Sequence, residues 1–320
     1  MNLHLAVLSV YSLGLMALGL WYGRRVRGAS DFFVAGRTLG PGLIFSTMLA
    51  ANIGAGSTVG ATSIGYSSGV AAWWWVGSAA VGSSILAFWI GPAMRRVATA
   101  HDLRTVGDYL EFRYDATVRG VIAALLWVGT IFILAGQLVA IGAILETVAR
   151  IPAAAGCAIG AAVILVYFAA GGLLTSARVN VVQLVVKLAG FAVALPIAVG
   201  AIGGWSALPS VRPDDHSYWS FWSLGPPGVM YLALLGPSFF LSPGLLQKVY
   251  GACDDRAVRV GVGLNALGLL LYAAVPVILG IVARRMYPDL GVTSNAALPT
   301  LLVHALPPLV GAIGLAAVFS

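Results

Sequence analysis

Asn180-x-x-Gln183-x-x-x-Lys187 places two amides and an ammonium at i, i+3 and i+7, a spacing that puts all three on one face of a helix. The stretch around them, Val179 to Ala201, is otherwise apolar. A helix entered at Val179 carries Lys187 roughly 12 Å along its axis at 1.5 Å per residue. An ionisable group at that depth is a functional candidate by default. The opposing reading is that its four-carbon stem returns the charge to the membrane surface. A second stretch, Asn52-Ile53-Gly54-Ala55-Gly56-Ser57-Thr58-Val59-Gly60, offers different chemistry. Each interior glycine costs a helix about 1 kcal/mol relative to alanine, and three fall within seven residues. A helix that parts there frees peptide N–H and C=O groups. In a membrane these survive only inside protein or against a polar cavity, where they hold ions and polar solutes. The alternative is an unbroken helix that packs closely through Gly56-x-x-x-Gly60 and Gly65-x-x-x-Gly69.

The elements that position these residues are membrane helices. The 320 residues are 60% hydrophobic and 9% charged, with mean hydropathy +0.95, against about 25% charged in a soluble protein. Windows of about 20 apolar residues predict spans near Leu3–Tyr22, Gly40–Gly65, Val70–Ala93, Val118–Val148, Ala153–Ala170, Val179–Ala201, Val229–Leu246 and Val258–Val282, with a last one from Leu301. Leu3–Tyr22 lacks a basic n-region and a clear cleavage site, so it reads as a retained helix. Alternate loops then gather the basic residues. Arg24, Arg25, Arg27, Arg37, Arg95, Arg96, Arg104, Arg113, Arg119, Arg178, Lys248, Arg256 and Arg259 fall on one side, and Arg150, Arg212, Arg284 and Arg285 on the other. The positive-inside rule makes the richer side cytoplasmic and puts the N-terminus outside. The net charge of +7 is thus a topology signal directed at the lipid bilayer, and no nucleic-acid partner is expected. His4, His101, His216 and His304 are dispersed, Cys157 and Cys253 lie far apart, and no Ser/His/Asp set, HExxH or P-loop is present. An enzyme reading has no constellation behind it.

Breakers recur in the 229–246 span, as Gly225-Pro226-Pro227-Gly228 before it and Gly236-Pro237 and Pro243-Gly244 within it. The two most interrupted spans lie five apart, the pattern of inverted repeats whose first helices are both discontinuous and line a midplane site. Trp73-Trp74-Trp75 opens another span near the outer interface, where indoles form a belt; a consecutive trio cannot all point one way, so part of it is also a candidate cavity wall. Thr105-Val106-Gly107-Asp108 fits a capping-box start to a short in-plane helix. The last run, Leu309–Ser320, is short for a bilayer and reads as ending inside a helix.

Several segments together resemble the sodium:solute symporter family. They are Asp31-Phe32-Phe33-Val34-Ala35-Gly36-Arg37, Ala50-Ala51-Asn52-Ile53, Thr105-x-x-Asp108-Tyr109-Leu110-Glu111-x-Arg113-Tyr114, Gly171-Gly172-Leu173, Asn180-x-x-Gln183, Leu246-Gln247-Lys248, and the tail Leu306-Pro307 with Gly311 to Ser320. The resemblance implies an all-α, leucine-transporter-like core of two inverted five-helix repeats behind one extra helix. The extra helix and its loop would take residues 1–39, the first repeat 40–202, and the start of the second 203–320. It also implies a Na+ ion held by the carbonyls of Ala50, Ile53 and Ala317 and the hydroxyl of Ser320. Hard oxygen ligands of this kind suit a hard cation. Gly56, Ser57, Val76 and Leu235 stand where sugar carriers of the family have polar and acidic residues, which argues against a sugar. Asn180 stands where many members have an acid.

These readings converge on a multi-pass carrier of the cell membrane. It would move a small organic solute with Na+ by rocking the spans beginning near Gly40, Val70, Val229 and Val258 against the rest. The expected solute site is Asn52, Gly54, Ser57 and Trp75, with Ser238 and Phe239 from the second interrupted span; Asn180, Gln183 and Lys187 would couple solute to ion. Turned inward, Lys187 could pair with an anionic solute, relay a proton or take a cation's place. The alternatives are therefore a proton-coupled or Na+-independent carrier that uses Lys187, or the membrane module of a signalling protein.

Overall fold

Apolar runs of this length leave the backbone one solution in lipid, a helix that satisfies its own N–H and C=O groups. A computed structural model of the chain describes residues 3–24, 28–169, 172–212, 214–290 and 294–319. It opens with α1 (Leu3–Gly23) and short α2 (Ala29–Val34), then α3 (Pro41–Asn52) and α4 (Ala55–Ser68). The chain reverses at Gly69, whose φ of +68° is open to glycine at little cost. Next, α5 (Trp73–Ile85) runs through a π-helical turn into α6 (Gly91–Ala100), followed by short α7 (Val106–Arg113). Long α8 (Ala116–Ala149), α9 (Ala153–Ala169) and α10 (Gly172–Ala201) come next. The second interrupted region comprises α11 (Pro226–Met230), α12 (Gly236–Leu241) and α13 (Pro243–Tyr250). The remainder is α14 (Asp255–Tyr272), α15 (Ala274–Met286), α16 (Ala297–Thr300) and α17 (Pro308–Phe319). Among the described residues, six helical runs are long and apolar enough to cross a membrane.

The spans follow the hydropathy reading with three corrections. Helix α10 begins at Gly172, seven residues before the expected Val179, which puts Lys187 about 22 Å along it. The span near Val258–Val282 is two helices that meet at Ala273, because Pro276 has no N–H and crowds the carbonyl of Tyr272. The last span does not run through from Leu301. Leu306, held extended (φ −107°, ψ 157°) ahead of Pro307, separates α17 from the turn after α16. The capping box is present: Thr105 Oγ1 accepts from the Asp108 N–H at 3.1 Å, and the Asp108 carboxylate accepts from the Thr105 N–H at 2.8 Å.

Two groups of helices form the body. In one, α3 and α4 pack along α14 and α15, with α5 between α12 and α14; in the other, α1, α8, α9, α10 and α17 pack together, and α10 also lies along α3. The α4–α15 contact is close enough that a Cβ on Gly280 would sit 2.4 Å from the Thr62 carbonyl oxygen. The basic side is tied by Arg37, whose guanidinium donates to the carbonyls of Ala98, Leu103 and Tyr250 and to Asp102. Hydrogen bonds from Arg37 and Arg104 hold the Asp102 carboxyl below the usual carboxylate range.

Candidate functional site

Helix α3 stops at Asn52, and Ile53 (φ −86°, ψ 77°) and Gly54 (φ −110°, ψ −178°) are non-helical before α4 begins. The backbone groups freed there find side-chain partners. Ser57 Oγ accepts from the Gly54 N–H at 2.9 Å and donates to the Asn52 carbonyl at 2.7 Å. The Gly56 N–H donates to Gln137 Oε1 of α8 at 2.8 Å. Thr58 Oγ1 donates to the Gly54 carbonyl and lies 2.8 Å from the Tyr272 hydroxyl. On the α3 side the partners are cationic. Lys187 Nζ of α10 donates to the Ala50 carbonyl at 2.7 Å, and Lys248 Nζ of α13 to the Thr47 carbonyl at 3.1 Å. Asn180 Nδ2 donates to Thr47 Oγ1 at 2.8 Å. The C-terminal end of a half-helix carries partial negative charge, so ammonium groups are suited to it.

A cavity of about 570 Å³ runs from the α2 side to this break, and Ala50, Gly54, Gln137, Gln183, Lys187 and Lys248 line it. Lys187 is 1% exposed with its ammonium on the Ala50 carbonyl, so its stem does not snorkel to the surface. Asn180 and Gln183 share its face and the same cavity. The Gln183 Nε2 is buried without a hydrogen-bond partner among the described residues.

The expected solute residues do not share this cavity. Gly54 lines it, but Asn52 turns to α14, where its Nδ2 donates to Asn265 Oδ1 at 3.2 Å, and Asn265 Nδ2 donates to Ser83 Oγ at 3.1 Å. Ser57 is spent on the break itself. Trp75 meets Tyr231 edge-on with ring centroids 5.2 Å apart. Trp73 and Trp74 instead pack on Phe221 and Trp222 of the long loop before α11. Ser238 is exposed and donates back to the Leu235 carbonyl, while Phe239 packs half-buried between two core clusters. Of the implied ion ligands, Ala50 faces the cavity, Ile53 is buried at the break, and Ala317 of α17 packs beside Gly190 of α10. Ser320 lies outside the described residues.

Sequence reasoning passed over Gln137, Asn265 and the depth of Lys248, which it counted as a loop charge. A signal existed for the first two. Gln137 is the only amide side chain in α8, and Asn265 the only one in α14.

The family model of the sodium:solute symporter family matches residues 32–320. A human (Homo sapiens) sodium/iodide cotransporter is 25% identical over 294 residues, 85% of this chain and 44% of that protein. A sodium/glucose cotransporter from Vibrio parahaemolyticus is 27% identical over 206 residues, 62% of this chain and 37% of its own length. This chain therefore spans less than half of either relative. A solved Na+-coupled sialic acid symporter, in a substrate-bound outward-open state, superposes with a TM-score of 0.87 at 16% identity over 100% of this chain and 70% of that one. That likeness establishes the fold, a leucine-transporter-like core behind an extra N-terminal helix. With its membrane helices, its interrupted first core helix and a family match across nine-tenths of its length, the chain belongs to the sodium:solute symporter family, a family of transporters and not of enzymes.

Proposed function

We propose that this chain is the working core of a Na+-coupled symporter that carries a small organic solute across the cell membrane by alternating access, with its N-terminus outside. The observation that carries the reading is the interruption at Ile53–Gly54, closed by side chains of α8, α10 and α13 beside a cavity. Broken helices of this kind are where transporters bind ions and solutes. The group containing α3, α4, α5, α12, α14 and α15 rocks against α1, α8, α9, α10 and α17, and the repeats divide as 40–202 and 203–320. Gly54 lets the solute approach the backbone. Asn52, Ser57 and Trp75 meet it as the groups rock and Asn52 leaves Asn265, while Ser238 and Phe239 of α12 close that wall by packing alone. Ala50, Ile53, Ala317 and Ser320 hold Na+, in keeping with the sodium coupling of the relatives named above.

Asn180, Gln183 and Lys187 provide the coupling. The Lys187 ammonium occupies the Ala50 carbonyl, and two unit charges about 4 Å apart repel by about 4 kcal/mol at an effective dielectric of 20. Lys187 therefore releases Ala50 when Na+ arrives. The same hydrogen bond favours a second reading, in which the lysine stands in the ion's place and the carrier runs without Na+. Uptake of a panel of labelled metabolites by the full-length protein in proteoliposomes, with and without Na+, tests both. Uptake that needs Na+ is expected. Equal uptake in Na+-free buffer selects the second reading, and no uptake of any solute by folded protein ends the carrier reading. Asn52→Ala is expected to abolish uptake while leaving the protein in the membrane.

A further inference from the structure

Resting on that carrier reading, we propose that the solute is an organic anion whose charged end enters the cavity beside the break past Gly54, with Lys187, Lys248 and Gln183 as its receiving groups. Lys187 and Lys248 come from different helices, α10 and α13, yet line one cavity and are both buried. Two ammonium groups in one apolar-walled space are unfavourable unless acceptors or an anion compensate them. Among the described lining residues there is no Asp or Glu. What each ammonium finds is one backbone carbonyl, Ala50 for Lys187 and Thr47 for Lys248.

Hydrogen-bond donors also outnumber acceptors around the cavity. An ammonium has three N–H groups, and each lysine spends one on α3. The two Nε2 hydrogens of Gln183 are unspent although the atom is buried. Several N–H groups thus face one cavity with no anionic acceptor among them. A pair of lysines serving only to cap α3 would not leave a third, uncharged donor of α10 buried and unpaired beside them. A carboxylate, with two oxygens and about four lone-pair sites, accepts from all three side chains. A neutral amide or a cation of the same shape does not offset the two charges. The alternative occupants, a neutral polar solute or an amine, are outcomes of the experiment.

The test uses full-length protein in proteoliposomes and matched labelled pairs, acetate with acetamide, lactate with lactamide and nicotinate with nicotinamide, alongside choline and the wider metabolite panel. The transported solute is expected to be an anion, with its amide taken up at least 100-fold more slowly. Lys248→Met and Lys187→Met should each raise the half-saturating concentration of that anion at least tenfold, and Lys248→Arg should recover most of the loss. Gln183→Glu, which puts a carboxylate among the donors, should have an effect as large as Lys248→Met. Abundance in the membrane is measured for every variant, so Lys248→Met and Gln183→Glu decide the matter if Lys187→Met fails to assemble. A transported solute that is neutral or cationic overturns the proposal and leaves the carrier reading standing. So does an anion whose half-saturation moves less than twofold in both Lys248→Met and Gln183→Glu. If folded protein moves no solute at all, the carrier reading falls and takes this proposal with it.

Discussion

The two interruptions of the core are built on different principles. At Ile53–Gly54, side chains from α4, α8, α10 and α13 converge on the separated half-helices. At Ser242 (φ −58°, ψ 122°) the chain closes on itself, with the Leu245 and Leu246 N–H groups donating to the Ser242 carbonyl and Pro243 presenting no N–H to satisfy. Among the described residues, no side-chain hydrogen bond from another element reaches Ser242, and neighbouring Leu241 is 59% exposed. A break in a membrane helix therefore does not by itself make a binding site. Polar groups of other helices point at the first break, and among the described residues no side chain of another element does so at the second.

The largest effect that separates the regions comes from where their helices touch. A Cβ on Gly82 of α5 would lie 2.0 Å from the Gly236 carbonyl oxygen of α12, and backbone cannot step aside as a side chain can. Gly82→Val is expected to destabilise the protein by about 3 kcal/mol, read as loss of monodisperse protein after detergent extraction. If the variant extracts normally, α12 is free to move away from α5, and the second region is looser than its contacts indicate.

Next in size is Gln137→Leu. It strands the Gly56 N–H inside protein, which costs about 1–3 kcal/mol, and removes an amide from the cavity wall. A lower thermal midpoint in detergent and a tenfold or greater fall in uptake are expected together. Gln137→Glu keeps the acceptor and should recover the midpoint. A midpoint unmoved by the leucine would mean that the first break does not depend on convergent side chains, and the contrast with Ser242 would vanish.

How far the contrast was legible in the sequence follows from the same chemistry. Glycine content and hydropathy are local properties, so the broken span, the membrane helices and the Asn180, Gln183, Lys187 face could be read directly. Partner choice is not local. Asn52 reads as a solute contact from its place at the break, and only the fold shows that Asn265, more than two hundred residues on, accepts one of its amide hydrogens. Lys248 reads as a loop charge because the positive-inside rule sorts by sequence position; the fold turns it inward to the Thr47 carbonyl. Proline and glycine marked the second interruption as strongly as the first, since breakers report where a helix stops and carry no information about what faces the gap.

Ser238→Ala carries the smallest expected effect and tests the contrast most finely. The hydroxyl is exposed and already donates to the Leu235 carbonyl 2.7 Å away, within its own turn of helix. Such back-bonding to a helix carbonyl is weakly destabilising or neutral, so removing it should change stability by less than about 0.5 kcal/mol. Uptake should stay within twofold of wild type if α12 contributes only packing. A fall of tenfold or more, at unchanged abundance, would mean that Ser238 turns from Leu235 to the solute in another state of the cycle. The second interruption would then be a site completed by motion, and the difference between the two breaks would belong to one conformation of the carrier instead of to its architecture.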